Sequence, residues 1–312
     1  MKILVTGANG FVGKSLSAEL FGQGHTVQAA VRTKVAPIEN VETTIVGEVN
    51  GSTDWSQSLA GVSTVVHLAA RVHIMRDSAA DPLAEFRAVN VHGTLNLARQ
   101  AAAAGVRRFV FLSSIGVNGA VTELGKPFTT DDKPAPHSFY AISKHEAEMG
   151  LRDIAAETGM QVVIIRPPLI YGANAPGNFG SLLRVLSRGV PLPLGLATHN
   201  RRSFVALDNL VNFIITCVHH PNAANQTFLV SDNDDVSTAD LLRRMAAALG
   251  VPARLIPVPL CVLKLGAKLL GKADVAQRLL GSLQVDITKN QVLLGWTPPI
   301  SVADGLKATA LG

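Results

Sequence analysis

The chain has 312 residues but only two cysteines, Cys217 and Cys261. That is too few for a disulfide framework, and buried free thiols are expected instead. No apolar run reaches the roughly 20 residues needed to cross a bilayer. The start, Met1-Lys2-Ile3-Leu4-Val5-Thr6, passes from one lysine straight into a short strand-like run. It lacks the apolar core and cleavage site of a secretory leader, so a cytoplasmic location is expected. Charge is modest, 28 Lys and Arg against 23 Asp and Glu, a formal +5 at pH 7. There is no long basic block and no aromatic interleaving, which argues against nucleic acid as a partner. The basic sign suits an anionic substrate or cofactor, or simply a solvated surface. His219 and His220 are adjacent, so their side chains diverge and offer no zinc spacing; no metal is expected. Internal repeats and low-complexity segments are absent.

What is present is a chain 47% hydrophobic, enough for a full core. Its length suits one large α/β domain, or a main domain with a smaller lobe. Short β-branched runs alternate with longer helical ones. The pattern predicts strands buried on both faces at Ile3–Thr6, Thr26–Val31, Thr43–Val46, Thr64–His67, Arg108–Leu112 and Gln161–Arg166. Helices are predicted near Phe11–Gly22, Asp81–Ala104 and Tyr140–Thr158, with Gly105 capping the second. Such alternation predicts an α/β, Rossmann-type, doubly wound parallel sheet. Residues 1–170 would form this nucleotide-binding domain, with segments returning near 201–235. Residues 171–312 would form mainly a smaller carboxy-terminal α/β substrate lobe. Within it, Ser237–Leu249 reads as a helix opened by a Ser-Thr-x-Asp cap and ended by Gly250. Leu260–Leu270 is leucine-rich, with Lys264 and Lys268 interspersed. A lobe helix burying its leucines is favoured there over a helix lying on a membrane surface.

Thr6-Gly7-Ala8-Asn9-Gly10-Phe11-Val12-Gly13 follows the first strand and opens the first helix. Glycines at 7, 10 and 13 permit a tight turn, close approach of a pyrophosphate, and close helix–strand packing. Asn9, Phe11 and Val12 complete the turn, and the helix N-terminus offers backbone donors to phosphate. Beyond the second strand stands Arg32, with Lys34 nearby, where an NAD site usually carries a carboxylate. Arg32 could pair with a 2′-phosphate, which favours NADP(H) and leaves NAD(H) open. An arginine stacked on adenine or facing water is the other reading.

Tyr140 and Lys144 share one helix face at i and i+4, about 130 residues after the glycines. A cation about 4–5 Å from a phenol is worth roughly 3–4 kcal/mol at an effective dielectric near 20. The expected result is a tyrosine pKa lowered by about two units, towards useful proton exchange at neutral pH.

These elements resemble the extended short-chain dehydrogenase/reductase superfamily, in its branch of nucleotide-sugar epimerases, dehydratases and reductases. The resemblance spans nearly the whole chain. It includes Gly7-x-x-Gly10-x-x-Gly13, His67-Leu68-Ala69-Ala70, Asn90-Val91-x-Gly93-Thr94, Phe111-Leu112-Ser113-Ser114, Tyr140-x-x-x-Lys144, Arg166-Pro167-Pro168-x-x-Tyr171-Gly172 and Leu294-Gly295-Trp296-x-Pro298. It implies Tyr140 as general acid/base, Lys144 as its electrostatic partner and ribose ligand, and Ser114 as the hydroxyl that polarises the reacting carbonyl. Asn90, Leu68, Ala69, Ala70 and Pro167 would line the cofactor. Arg201, Arg202 and Asn178 would hold the substrate diphosphate. A homodimer built from paired long helices is also implied.

Departures from the family pattern narrow the reaction. Ile115 and Gly116 stand where 4,6-dehydratases of the family carry Asp-Glu, which argues against elimination of water. Val117-Asn118-Gly119 lacks the usual tyrosine of the epimerases. The stretches Ala69–Asp77 and Leu280–Asp286 resemble bacterial surface-polysaccharide reductases. The first expectation is therefore reduction of UDP-4-keto-6-deoxy-N-acetylglucosamine at C4 to UDP-N-acetylquinovosamine. A UDP-hexose 4-epimerase with bound NAD is the alternative, ahead of a small carbonyl reductase or a non-catalytic nucleotide sensor.

Overall fold

The computed structural model describes residues 1–34, 41–72, 81–175 and 178–311, with Asn178 and Leu311 described for their backbone alone. Residues 73–77 of the reductase-like stretch lie outside the described residues, as do Pro176 and Gly177.

Among the described residues nine strands form in chain order: β1 Lys2–Thr6, β2 Thr26–Val31, β3 Glu42–Ile45, β4 Thr64–His67, β5 Arg108–Leu112, β6 Gln161–Arg166, β7 Leu169–Tyr171, β8 Phe204–Ala206 and β9 Thr227–Leu229. Seven make one parallel sheet in the order β3-β2-β1-β4-β5-β6-β9, and β7 pairs with β8 in a small second sheet. Period-two alternation assigns the strand residues to two faces. Ile3, Val5, Val110 and Val163 meet Leu16, Leu20, Leu210 and Phe213, from helices Phe11–Gly22 and Leu207–His219. Leu4, Val65, Phe109 and Ile164 meet Leu97, Ala101, Leu151 and Ile154, from helices Thr94–Ala103 and Phe139–Thr158. The sheet is doubly wound. A third core, around Tyr171, Phe179, Leu242 and Leu306, holds the carboxy-terminal half together.

The strand order reverses between β1 and β4, which opens a crevice at their carboxyl ends. Gly7 follows β1 there, and Leu68 follows β4.

Four expectations need correction. β3 is not buried on both faces: it is a mostly exposed edge strand with one neighbour, β2. The helix expected over Asp81–Ala104 is three pieces: Pro82–Arg87, a π-helical stretch Ala88–Gly93, and Thr94–Ala103. Gly93, at the end of the π-helical stretch, packs so closely on Val49 that a Cβ there would lie 2.8 Å from Val49 Cγ1. The leucine-rich helix, Leu260–Leu269, has no buried residue. It packs against helix Ala273–Leu280, and only its Leu260 and Leu263 side reaches the third core. Finally, Cys217 is buried but Cys261, on that same helix, is exposed. The Ser237 cap is as expected, accepting from Asp240 N–H at 3.1 Å ahead of helix Thr238–Ala248. Among the described residues no helix is long and apolar enough to cross a membrane.

Candidate active site

The glycine turn is built so that only backbone fills it. Gly7 has φ +66°, and a Cβ there would lie 2.9 Å from Ala69 N. At Gly13 a Cβ would lie 2.2 Å from Gly7 O, so residue 13 must be glycine for the helix to seat on the strand. The helix N-cap is Gly10, which places no side chain over the first amides, and no acid stands in the first turn. Unscreened N–H groups at a positive dipole end fit a dinucleotide pyrophosphate. Asn9 and Phe11, with Lys14, Tyr171 and Asp208, line a cavity of about 670 Å³ beside this turn. Its walls do not include Ser114, Tyr140 or Lys144. Val12 is buried in the core behind the turn, and Arg32 is exposed just past β2.

A buried polar chain pins β1, β4 and the π-helical stretch. Thr6 Oγ1 accepts from Leu68 N–H at 3.2 Å and Ala69 N–H at 3.1 Å. Its own proton therefore points to His67 Nδ1, 2.7 Å away, and His67 Nε2 donates to Thr94 Oγ1 at 2.9 Å. Burial pushes the His67 pKa down to about 3, helped by Lys144, so the ring stays neutral in this tautomer. Asn90 accepts from Arg71 N–H at 2.8 Å and donates to Arg71 O and Ser143 Oγ, each at 3.0 Å. Its amide thus fixes the segment after Ala70 against the Tyr140 helix.

Ser138 caps that helix, accepting from Ala141 N–H at 3.2 Å, which puts Tyr140 in its first turn. The short turn Ile115–Val117 after Ser114 packs on the same helix. A Cβ at Gly116 would sit 3.3 Å from both Ala141 Cβ and Ser114 Oγ. The Ser114 loop and the first helical turn therefore share one corner at the carboxyl end of β5. Pro167 is buried beside it, its carbonyl accepting from Ile115 N–H at 3.0 Å.

The electrostatic expectation for Tyr140 does not hold. Lys144 is 1% exposed, its Nζ donates to Leu112 O at 2.8 Å, and it lies 5.9 Å from the Tyr140 ring centroid. The ammonium is closer to Phe111, at 4.3 Å. Without a cation at its oxygen, the half-buried Tyr140 is pushed up to about 12 by burial. Lys144 is lowered to about 7, burial outweighing the opposing charge of Glu148.

One pH dependence follows. In the unfolded chain Lys144 keeps its proton to about pH 10, whereas folded Lys144 releases it above about 7. The unfolded state then binds more protons, so stability should rise with pH in that window, by up to about 1.4 kcal/mol per unit. Denaturant unfolding of nucleotide-free protein at several pH values should show this slope, and Lys144→Met should flatten it. Equal slopes would refute the depressed lysine.

Beneath Ser114 lies a feature invisible to motif reading. Glu148 is 0% exposed and salt-bridges Arg166, 2% exposed, at 2.6 Å. Glu148 also accepts from Ser113 Oγ at 2.5 Å, while Arg166 donates to Asn118 Oδ1 at 2.9 Å. Asn118 closes this network, donating onward to Thr129 O at 2.8 Å.

On the substrate side, Arg201 is tied down, its Nη1 donating to the Thr198 and Asn200 carbonyls at 2.9 and 3.0 Å. Arg202 reaches Gly281 O at 3.2 Å, and both burial and the charge of Arg278 hold its pKa below the ordinary arginine value. Arg278 also lowers His137, whose first cause is again burial and whose neighbour is Gly116. Arg202, Arg278 and His137 thus form a basic corner beside the Ser114 loop. Sequence reading missed Arg278 because it stands alone on an amphipathic helix. Asn178 begins helix Asn178–Ser187, but its side chain lies outside the described residues.

This architecture has clear relatives. The model of the NAD dependent epimerase/dehydratase family matches residues 3–231. The UDP-glucose 4-epimerase of Vibrio cholerae is 48% identical over 309 residues, covering 99% of this chain and 94% of that one. The N-acetyl-alpha-D-glucosaminyl-diphospho-ditrans,octacis-undecaprenol 4-epimerase of Escherichia coli O157:H7 is 29% identical, covering 98% and 93%. In fold, the chain is similar to the Bacillus cereus UDP-glucuronic acid 4-epimerase in complex with NAD, with a TM-score of 0.80, 21% identity, and 99% and 95% coverage. The sheet order, the glycine turn and the family match agree, and the chain belongs to the NAD dependent epimerase/dehydratase family.

Proposed function

We propose that the chain is a UDP-hexose 4-epimerase that keeps NAD bound through turnover. The observation that carries this is the 48% identity with a UDP-glucose 4-epimerase over 99% of the chain. The 4-keto reductase expected first from sequence becomes the second reading. Part of the case for it was the missing tyrosine at position 118, where Asn118 instead accepts from the buried Arg166.

In this reading, bound NAD supplies the acceptor and later the donor of hydride at the sugar C4. Tyr140 moves the proton at the C4 oxygen, and Ser114 donates a hydrogen bond to that oxygen as it gains charge. Lys144 lies on the same helix face and orders the ribose side. Gly7, Gly10 and Gly13 let the pyrophosphate reach the amides of Phe11 and Val12. Arg32 flanks the adenine rather than pairing with a 2′-phosphate. Arg202 and Arg278 grip the diphosphate, whose charge suits guanidinium forks. Gly116 carries no carboxylate, which dehydration needs, and a Cβ there would press on Ala141 and Ser114 at 3.3 Å. A homodimer through helix Phe139–Thr158 belongs to the same reading.

The test uses purified protein with UDP-glucose or UDP-N-acetylglucosamine and no added nucleotide. The expected outcome is the C4 epimer, with NAD released on heating. If sugar turnover requires NADPH and a 4-keto substrate, the reductase reading replaces this one.

A further inference from the structure

The helical hairpin formed by Leu260–Leu269 and Ala273–Leu280 buries none of its residues, although it is rich in leucine. Leu260 and Leu263 lean on the carboxy-terminal core, which leaves Val262, Leu265 and Leu269 as a second stripe at helical spacing on the other side. Their exposures are 55, 60 and 79%, and Leu270 follows at 74%. A contiguous apolar patch of this kind normally marks a docking surface.

Charge decides what docks. From Leu241 to Ala273 the chain has no carboxylate, while Lys264, Lys268 and Lys272 stand among the exposed leucines. A second copy seated on this face would set lysine against lysine. Lysine stems that lie along apolar surface with their ammonium groups outward match a layer of anionic headgroups over hydrocarbon. The hairpin also ends beside the candidate site, because Arg202 Nη1 donates at 3.2 Å to the carbonyl of Gly281, which caps its second helix. We infer that this hairpin is a membrane-surface anchor that rests on anionic phospholipid and holds the substrate mouth at headgroup level. No described helix could span the bilayer, so the contact is interfacial. The inference does not depend on which sugar the site takes.

Flotation of the full chain with vesicles tests it. An equal mixture of phosphatidylglycerol and phosphatidylcholine should carry the protein upward, pure phosphatidylcholine much less, and added salt should weaken the binding. The double variant Leu265→Glu/Leu269→Glu should lose at least about tenfold in partitioning, at unchanged thermal midpoint and nucleotide content. Both residues are exposed, so folding should survive the change. Wild-type protein that stays with the buffer, or a variant that floats equally well, overturns the inference. Sedimentation provides the competing outcome: a wild-type oligomer that becomes monomeric in the double variant assigns the face to self-association instead.

Discussion

Replacing Tyr140 with phenylalanine is expected to lower kcat about a thousandfold or more while the nucleotide remains bound. The change removes one oxygen and keeps the ring, whose edge contact with Phe86 at 6.3 Å should survive. A positioned proton donor contributes about 10²- to 10⁴-fold, so a thousandfold loss is about 4 kcal/mol of barrier. Burial pushes the phenol up to about 12 in the free protein, so it holds its proton at neutral pH. The oxidation half of the cycle needs the phenolate to take the C4 hydroxyl proton, and the return half gives that proton back as hydride returns to C4. Steady-state rates, nucleotide released on heating and a circular dichroism spectrum check the three parts of the statement. Retention of more than about a tenth of kcat, a barrier change under roughly 1.4 kcal/mol, removes Tyr140 from the role.

The largest loss of stability is expected at Glu148. Its carboxylate meets Arg166, Ser113 and, at 3.5 Å, Arg152, with no exposure to water. Glu148→Ala would leave the Arg166 guanidinium buried without its counter-charge and Ser113 without its acceptor, which costs about 3–5 kcal/mol. Replacing both charges, as in Glu148→Leu with Arg166→Met, should restore most of that loss, because an apolar pair avoids the desolvation penalty. Urea unfolding of the three proteins decides it. A single variant within about 1 kcal/mol of wild type would show that the pair contributes little. Because Ser113 precedes Ser114, the single variant should also loosen the reactive corner.

Much of the site was legible in local spacing. Glycines 7, 10 and 13 act through backbone clearance over one turn, and that clearance depends on few neighbours. Tyr140 and Lys144 lie about one helical turn apart, so their common face follows from helical geometry. Sheet order was legible as a class because strand–helix alternation permits few handed topologies. Where reading failed, a distant partner had intervened. The Lys144 ammonium was aimed at Tyr140 by the i,i+4 rule, yet the carbonyl of Leu112, 32 positions earlier in the chain, captured it. The helix over 81–104 is interrupted by a π-helical stretch at Ala88–Gly93, whose Asn90 side chain is bonded to Arg71 and Ser143 far away in the chain. Arg278 carries no motif, and only the packing of its helix places it beside Arg202.

The amino-acid sequence by itself determined the parallel α/β class, the glycine turn and the shared helix face of Tyr140 and Lys144, because each rests on short-range periodicity or on a residue type that steric rules demand. Only the tertiary structure decided which way the titrating groups shift, which arginine is tied to backbone carbonyls, what lies buried beneath Ser114, and that Leu265, Leu269 and Leu270 face outward. Those outcomes depend on desolvation and on partners far away in the chain, and neither exists until the sheet and the carboxy-terminal half have closed around them.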